Sequence, residues 1–260
     1  MQTDFSRHRL LAIIASISLL TSCGDPKSSS TSGPNGGAVP TSQMTIDLKV
    51  VSKDSGTAVV RANLNDGKAL GSSYRLDGGD FFRACINGVC HSMADNDSLD
   101  SPDYIARFTF QPGVDYVISF NRQEGQNAPD SRVILPAAFT LVTPANHQQV
   151  TDGQTVIFEW SPTGAPARVS LAYQITCTAG AGTTVSSGNL GTDTNADGRE
   201  AVRIDPIIND IRSGATGVIS KCEIEVTVSH ELRGNIDPAF RGGTAVGIVS
   251  RAATLDYVPR

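Results

Sequence analysis

The chain has 260 residues, a length that suits one large or two ordinary domains. Its formal charge of −5, without a basic stripe or a Lys/Arg cluster, argues against a nucleic-acid-binding protein and against electrostatic attachment to anionic lipid. A hydrophobic fraction of 39% with 25 Gly and 13 Pro is typical of a turn-rich β protein and not of a helical one.

Residues 1–22 predict an export signal. Arg7 and Arg9 precede an apolar run of 11 residues, Leu10 to Leu20, whereas a membrane-spanning helix needs about 20. Leu20-Thr21-Ser22-Cys23 resembles the lipobox of bacterial lipoproteins. The resemblance implies cleavage before Cys23, a lipid on its thiol and an acyl chain on its amine, which together anchor the chain to a membrane. The alternatives are an ordinary cleaved signal and a single anchor helix.

The segment that follows the cysteine predicts a spacer. Residues 23–42 are rich in Gly, Ser and Pro and contain almost nothing to bury, which indicates a flexible tether with a reach of roughly 25 Å. In lipoproteins of two-membraned bacteria, an Asp directly after the cysteine holds the protein at the inner membrane. Here Gly24 occupies that position, so the resemblance favours the outer membrane over the inner membrane.

Residues 43–136 predict a first β-sandwich domain. Apolar residues alternate in short segments that turn residues separate, a pattern of period two that is typical of sandwiches and barrels. The clearest of these residues are Ile46, Leu48, Val50, Val60, Ala62, Leu64, Tyr104, Ala106, Phe108, Phe110, Tyr116, Ile118 and Phe120.

One hairpin is predicted in detail within this domain. Asn87-Gly88 favours a two-residue turn because both positions need a positive φ, and this places Ile86 opposite Val89 and Cys85 opposite Cys90. We expect a disulfide here, because export leads to an oxidising compartment and CxxxxC with one His is a poor zinc pattern. Two free thiols or a metal site are the alternatives. One face of the hairpin is expected to be buried: Phe82, Ala84, Ile86, Val89, His91 and Met93.

Residues 137–260 predict a second β-sandwich domain, which starts after Leu135-Pro136. Cys177 and Cys222 lie in phase with the apolar sides of their strands, which favours a buried bridge between them. One short helix is expected between the strands of this domain. It has Asp205 as its N-cap, an apolar face of Ile207, Ile208 and Ile211, and a stop at Gly214.

Both domains resemble fibronectin type III and other immunoglobulin-like sandwiches. Phe110 to Ile118 is similar to the segment that leads into strand F and its corner tyrosine, here Tyr116, and Val156 to Pro162 is similar to strand B with its core tryptophan, Trp160. Trp160 precedes both Cys177 and Cys222, which departs from the antibody pattern. With Leu76 to Asp80 and Arg132 to Pro136, the chain is similar to uncharacterised two-domain lipoproteins of Gram-negative bacteria, a resemblance that implies no active site.

One loop could bind a metal ion. Asp193, Asn195 and Asp197 place oxygen ligands at alternate positions before Gly198, as calcium loops do. Ile204 stands where an EF-hand would need Glu, and a metal-free Asx-rich turn explains the same residues. Calcium is therefore the only cofactor that the sequence suggests, and the calcium-free turn is the favoured interpretation.

The sequence favours a protein without catalytic activity. His91, His147 and His230 have no chemical partner at a telling spacing, and no GxSxG, HExxH, phosphate-loop or GxGxxG motif is present. We expect a lipoprotein of the cell envelope that binds a protein or glycan or serves as an assembly part, with loops or a strand edge as the contact. The alternatives are a hydrolase-like accessory enzyme and a calcium-dependent adhesion module.

Overall fold

The computed structural model describes residues 37, 39–54, 56–68, 72–96, 102–163, 168–179, 182–193, 197–214 and 219–259. This part of the chain is almost entirely β-structure, as the sequence predicts, with one α-helix, α1 (Ile204–Gly214), and a short 3-10 helix, Thr41–Gln43. The strands are β1 (Thr45–Ser52), β2 (Thr57–Asn65), β3 (Phe81–Ile86), β4 (Val89–Ser92), β5 (Ala94–Asp95), β6 (Tyr104–Thr109), β7 (Asp115–Asn121), β8 (Ala128–Ile134), β9 (Thr140–Thr143), β10 (Gln148–Val150), β11 (Thr155–Ser161), β12 (Arg168–Ala179), β13 (Gly182–Asp193), β14 (Arg199–Arg203), β15 (Ile219–Arg233) and β16 (Gly242–Tyr257).

The first eight strands form an immunoglobulin-like sandwich. Strands β1, β2, β6 and β5 lie side by side in one layer, and β4, β3, β7 and β8 form the other. The predicted alternation holds, because every second residue of β1 and β2 is buried between the layers. Phe82 from β3 packs on Phe120 from β7 with ring centroids 5.0 Å apart, and both side chains are fully enclosed.

Tyr116 forms the corner that the resemblance to fibronectin type III domains implies. Its hydroxyl accepts the Gln111 N–H at 3.2 Å and donates to the Gln111 carbonyl at 3.4 Å, five residues upstream. Burial raises the pKa of the Tyr116 hydroxyl, so this group stays neutral and keeps its proton for the second bond. The turn before β7 is thereby fastened to the core.

The second sandwich contains the predicted helix. Strands β14, β11 and β9 form one layer, and β13, β12, β15 and β16 form the other, with β10 added beside β16. Trp160 is buried in this core, as expected, and α1 buries the predicted apolar face of Ile207, Ile208 and Ile211. Asp205 is not the N-cap, because the helix begins at Ile204. Its carboxylate instead accepts the Gly153 N–H at 2.6 Å, which ties the first turn of α1 to the loop before β11.

Strand β16 belongs to both sandwiches. Its first half, Gly242 to Val249, pairs in parallel with β1, and most of its length pairs with β15 in antiparallel orientation. A nine-stranded sheet therefore runs without interruption from one sandwich into the other. Residues Gly33–Arg260 form one compact unit, and the division between residues 136 and 137 stays a prediction.

The turn between β15 and β16 closes the side of the first sandwich. Asn235 exchanges two backbone hydrogen bonds with Arg132 of β8, at 2.8 and 2.9 Å. Asp237 is buried, and its carboxylate accepts the Asp130 N–H at 2.8 Å. Phe240 stacks on Phe120 with 5.9 Å between ring centroids. This turn thus completes the core of the first sandwich from a segment more than 100 residues away in sequence.

We expect Gly247→Ala to loosen the junction of β16 with β8. A Cβ at Gly247 would lie 2.0 Å from the carbonyl oxygen of Ile134, so backbone would have to move. The free energy of unfolding should fall by about 3 kcal/mol, measured by urea denaturation. Gly56→Ala is the matched control, since its Cβ would meet nothing closer than 3.6 Å and should change stability by less than about 0.5 kcal/mol. Equal effects of the two substitutions would contradict this account.

Candidate functional site

Two of the four predicted lipidation and calcium residues lie outside the part of the chain that the structure describes. Cys23 and Asn195 lie outside the described residues, Asp193 ends β13, and Asp197 precedes β14. The carboxylate of Asp197 accepts the Arg199 N–H at 3.0 Å, as the Asx-turn interpretation expects. Among the described residues, no three His, Cys, Asp or Glu side chains lie close enough together to hold a metal ion. Calcium binding in this loop stays a prediction.

Both predicted cysteine pairs lie at disulfide distance. The sulfur atoms of Cys85 and Cys90 are 2.10 Å apart, and those of Cys177 and Cys222 are 2.02 Å apart. Each pair joins directly opposite residues of neighbouring antiparallel strands. The second bridge is buried and closes a span of 45 positions, for which the chain-entropy model gives about 4 kcal/mol. The first bridge holds together the tip of the β3–β4 hairpin.

The β3–β4 hairpin is less buried than the sequence suggested. Val89 is 57% exposed and His91 is also exposed, so the prediction is wrong for these two residues. The reason is position: β4 is the outermost strand of its layer, so no further strand of that layer covers its free side. The same-face residues that are buried, as predicted, are Phe82, Ala84, Ile86 and Met93.

An open groove of about 520 Å³ lies between this hairpin and the opposite layer. Its apolar part comes from Ile86, Val89 and Phe108, while its polar rim comes mainly from Asn87, Gln111 and neighbouring residues. Asn87 donates from its amide to the Gln111 side chain at 2.7 Å, which joins the hairpin turn to the loop after β6. The lining residues are Gly56, Thr57, Ile86, Asn87, Val89, His91, Arg107, Phe108, Thr109 and Gln111.

His91 is oriented within the groove by two contacts. Its ring stacks on Phe108 with 4.7 Å between centroids and 10° between planes. Its Nδ1–H donates to the Arg107 carbonyl at 3.2 Å, because a carbonyl can only accept. The sequence did not predict this pairing, because His91 and Phe108 lie on different layers and are brought together only by the sandwich. An ordered imidazole beside aliphatic surface suits recognition of a ligand by shape and hydrogen bonding.

A cluster of polar side chains links β16 to α1. The hydroxyl of Tyr257 donates to Asp152 at 2.9 Å, and Arg212 donates to both Tyr257 and Asp152, at 2.7 and 3.0 Å. Burial is the main cause that raises the pKa of Tyr257 to about 12, and the hydrogen bond to Asp152 is the second. A phenol held neutral in this way is a poor nucleophile, so we interpret the cluster as structural.

His230 is a buried histidine at the place where the two sandwiches meet. It stacks on Phe139 with 4.0 Å between ring centroids, and the Trp160 ring meets it edge-on at 5.9 Å. Its Nε2 has no hydrogen-bond partner among the described residues, and burial lowers its pKa to about 4. The imidazole is therefore neutral at pH 7. The guanidinium carbon of Arg251 lies 5.5 Å from the centroid of the Phe139 ring.

A second groove, of about 560 Å³, lies beside the turn between β15 and β16. Arg168, Glu231 and Arg233 supply its charged rim, and Ile236 and Val246 supply apolar surface. None of these residues was identified from the sequence as part of a site. Within the described ranges, no helix is both long enough and apolar enough to cross a membrane.

Comparison with known proteins leaves the family open. No protein-family model and no curated protein matches the chain. Among solved structures, the chain is similar to the fibronectin(III)-like modules of CbhA from Clostridium thermocellum, at 11% identity over 84% of this chain and 94% of that chain, with a TM-score of 0.25. A likeness of that strength supports no conclusion about this protein. The immunoglobulin-like character follows from the strand order of the two sandwiches.

We expect His230 to make the protein less stable in acid. Its folded-state pKa of about 4 lies below the unfolded value of about 6.5, so the unfolded chain binds the proton more tightly. The contribution of neutral His230 to the free energy of unfolding is fully present above pH 6.5. It falls by about 3 kcal/mol as the pH decreases towards 4. Urea denaturation between pH 7 and pH 4 measures this loss.

His230→Gln should remove most of this pH dependence, whereas the exposed His147→Gln should leave it in place. An unchanged pH profile in the His230 variant would show that other groups cause the acid sensitivity.

Proposed function

We propose that the protein is a membrane-anchored, extracytoplasmic lipoprotein that acts as a non-catalytic binding or structural module of the cell envelope. The lipobox-like segment before Cys23 supports the anchor, and residues 23–42 would serve as the tether. The two cysteine pairs at bonding distance support an oxidising compartment, because disulfides are rare in the reducing cytoplasm. In the proposal, the outer membrane is favoured over the inner membrane.

The groove on the first sandwich is the observation that carries the binding role. It combines an aliphatic surface with an oriented imidazole and amides, and its hairpin wall is cross-linked by the Cys85–Cys90 pair. A wall that is already ordered loses little conformational entropy when a ligand binds. Loops and hairpins on a rigid sandwich are the usual place for such contacts. The proposed ligand is a protein or glycan segment of the envelope.

The anchor is tested by intact-mass measurement and detergent phase partitioning of the exported protein. We expect the mass of a chain that starts at Cys23 and carries lipid, and partitioning into the detergent phase. Cys23→Ser should yield a water-soluble chain without lipid, while Ser30→Ala, within the tether, should behave as the unaltered protein. An unmodified Cys23 in the exported chain would end the anchor proposal without affecting the groove.

The groove is tested by photo-cross-linking in cells. A photoreactive phenylalanine analogue at position 89 should give a discrete adduct, whereas the same analogue at position 142 should give none. Val89 and Val142 are both 57% exposed, so the two positions present the probe equally, but only Val89 lines the groove. Similar adducts at both positions, or none at position 89, would remove the groove as the binding surface.

A further inference from the structure

The nine-stranded sheet has a second face that turns away from both cores. In β15, Cys222, Ile224 and Val226 point into the second sandwich, so Glu223 and Glu225 between them point outward. Directly opposite residues of neighbouring strands share a side, and the register therefore defines this outward side across β12, β15, β16, β1, β2 and β6. We call it the outer face.

One end of the outer face carries more cations than carboxylates: five Lys or Arg side chains, against Glu231 and Asp47 on the same side. Directly opposite positions on four successive strands, β15, β16, β1 and β2, are occupied by Arg233, Val246, Lys49 and Arg61. Lys49 and Arg61 are thus like charges in direct cross-strand contact, an unfavourable arrangement that the ion pair of Arg61 with Asp103 offsets only in part. The next set of directly opposite residues on the outer face begins at Arg168 of β12 and ends at Arg107 of β6. Glu231 is its one acidic residue.

The other end of the outer face is acidic. Glu223 lies directly opposite Asp256, again a cross-strand pair of like charge, and Glu225 follows on the same side. His147 lies 3.5 Å from the Asp256 carboxylate, and Lys221 is the cation at this end. Ten residues of β15 separate Glu223 from Arg233, so the two ends are about 33 Å apart.

Small side chains occupy the middle of the outer face. The hydroxyls of Ser229 and Ser250 are hydrogen-bonded to each other at 2.9 Å, so they project little. Such a surface lets a second sheet approach to the ordinary distance of about 10 Å. The central residues, from three neighbouring strands, are Ser170, Ala172, Thr227, Ser229, Ser250 and Ala252.

We propose that two copies of the chain associate through their outer faces about a two-fold axis that lies between the faces, runs across the strands and passes over this small-residue centre. A two-fold rotation brings the basic end of one copy over the acidic end of the other, and does so twice. Arg233 and Lys49 then face the carboxylates of Glu223, Glu225 and Asp256. The like-charge pairs that are unfavourable within one chain become complementary pairs between two chains.

A second copy fits this face better than other partners do. An acidic protein would match only the basic end, and a basic protein only the acidic end, whereas a copy matches both ends at the same spacing. An anionic bilayer would repel Glu223, Glu225 and Asp256. The outer-face residues named here also include no Trp, Tyr or Phe, the side chains that settle at membrane interfaces.

The dimensions of the face indicate a reversible dimer. A patch of about 33 Å along the strands and about 15 Å across them covers roughly 500 Å² per copy, at the low end of stable interfaces. Charge contacts at the rim should make the association sensitive to salt. The dimer goes beyond the proposed function and does not require the lipid on Cys23.

Sedimentation of the full chain in a density-matched nonionic detergent tests the proposal. We expect a monomer–dimer equilibrium that weakens as salt rises. Lys49→Glu combined with Arg233→Glu should raise the dimer dissociation constant by about tenfold or more, because each lost contact occurs twice. Arg83→Glu combined with Arg203→Glu, exposed cations of the two opposite layers, should leave it unchanged.

A charge swap separates a lost contact from a damaged fold. Glu223→Lys combined with Asp256→Lys should also yield a monomer. Mixed with the Lys49→Glu, Arg233→Glu variant, it should form a heterodimer, since each variant then offers the charge that the other needs. Variants that had simply misfolded would not recover association on mixing.

Carbodiimide coupling locates the interface. It joins an amine to a carboxylate in direct contact, and about 33 Å separates Lys49 from Glu223 within one chain. A mixture of ordinary and ¹⁵N-labelled chains should give mixed-label peptides that join Lys49 to Glu223, Glu225 or Asp256.

Three results would overturn the proposal: a monomer at all concentrations, a dimer that survives the charge reversals, or Lys49 cross-links to other sites only. Binding of the monomer to anionic vesicles through Lys49 and Arg233 would assign the outer face to lipid instead.

Discussion

The double pairing of β16 is the constraint on which the rest of the structure depends. One strand completes the sheet of the second sandwich and adds a parallel strand to β1 of the first. Backbone hydrogen bonds in such a ladder leave little freedom for hinge motion between the sandwiches. The turn that precedes β16 also places Phe240 and Asp237 in or beside the first core, so the first sandwich is incomplete without the end of the chain.

The same constraint explains which residues lie where the two sandwiches meet. Close approach of β16 to β8 leaves no room for a side chain at Gly247. His230 lies in the row that joins Ser52 and Val249 across three strands, and it is enclosed by Phe139 and Trp160. A neutral histidine fills this space at pH 7, but its protonation would bury a charge without a partner. The stability of the fold is therefore coupled to pH at this residue.

Rigidity also bears on how the protein could act at a membrane surface. In the proposed anchored protein, a stiff body on a flexible tether would present the groove beside His91 and the outer face at adjoining positions on one scaffold. The groove offers a shaped surface of mixed polarity, whereas the outer face offers charges at a fixed spacing. Binding through the first and self-association through the second are compatible, and multivalent contact at an envelope would strengthen a weak individual interaction.

The sequence by itself determined the local features of this protein. Period-two alternation located the strands, Asn87-Gly88 set the hairpin register, and that register together with the spacing and phase of the cysteines predicted both pairings. Only the tertiary structure decided the long-range pairing of β16 with β1, because register between segments nearly 200 residues apart depends on packing and not on local propensity. For the same reason, Lys49 and Arg233 read as scattered charges in the sequence and become neighbours only across the folded sheet.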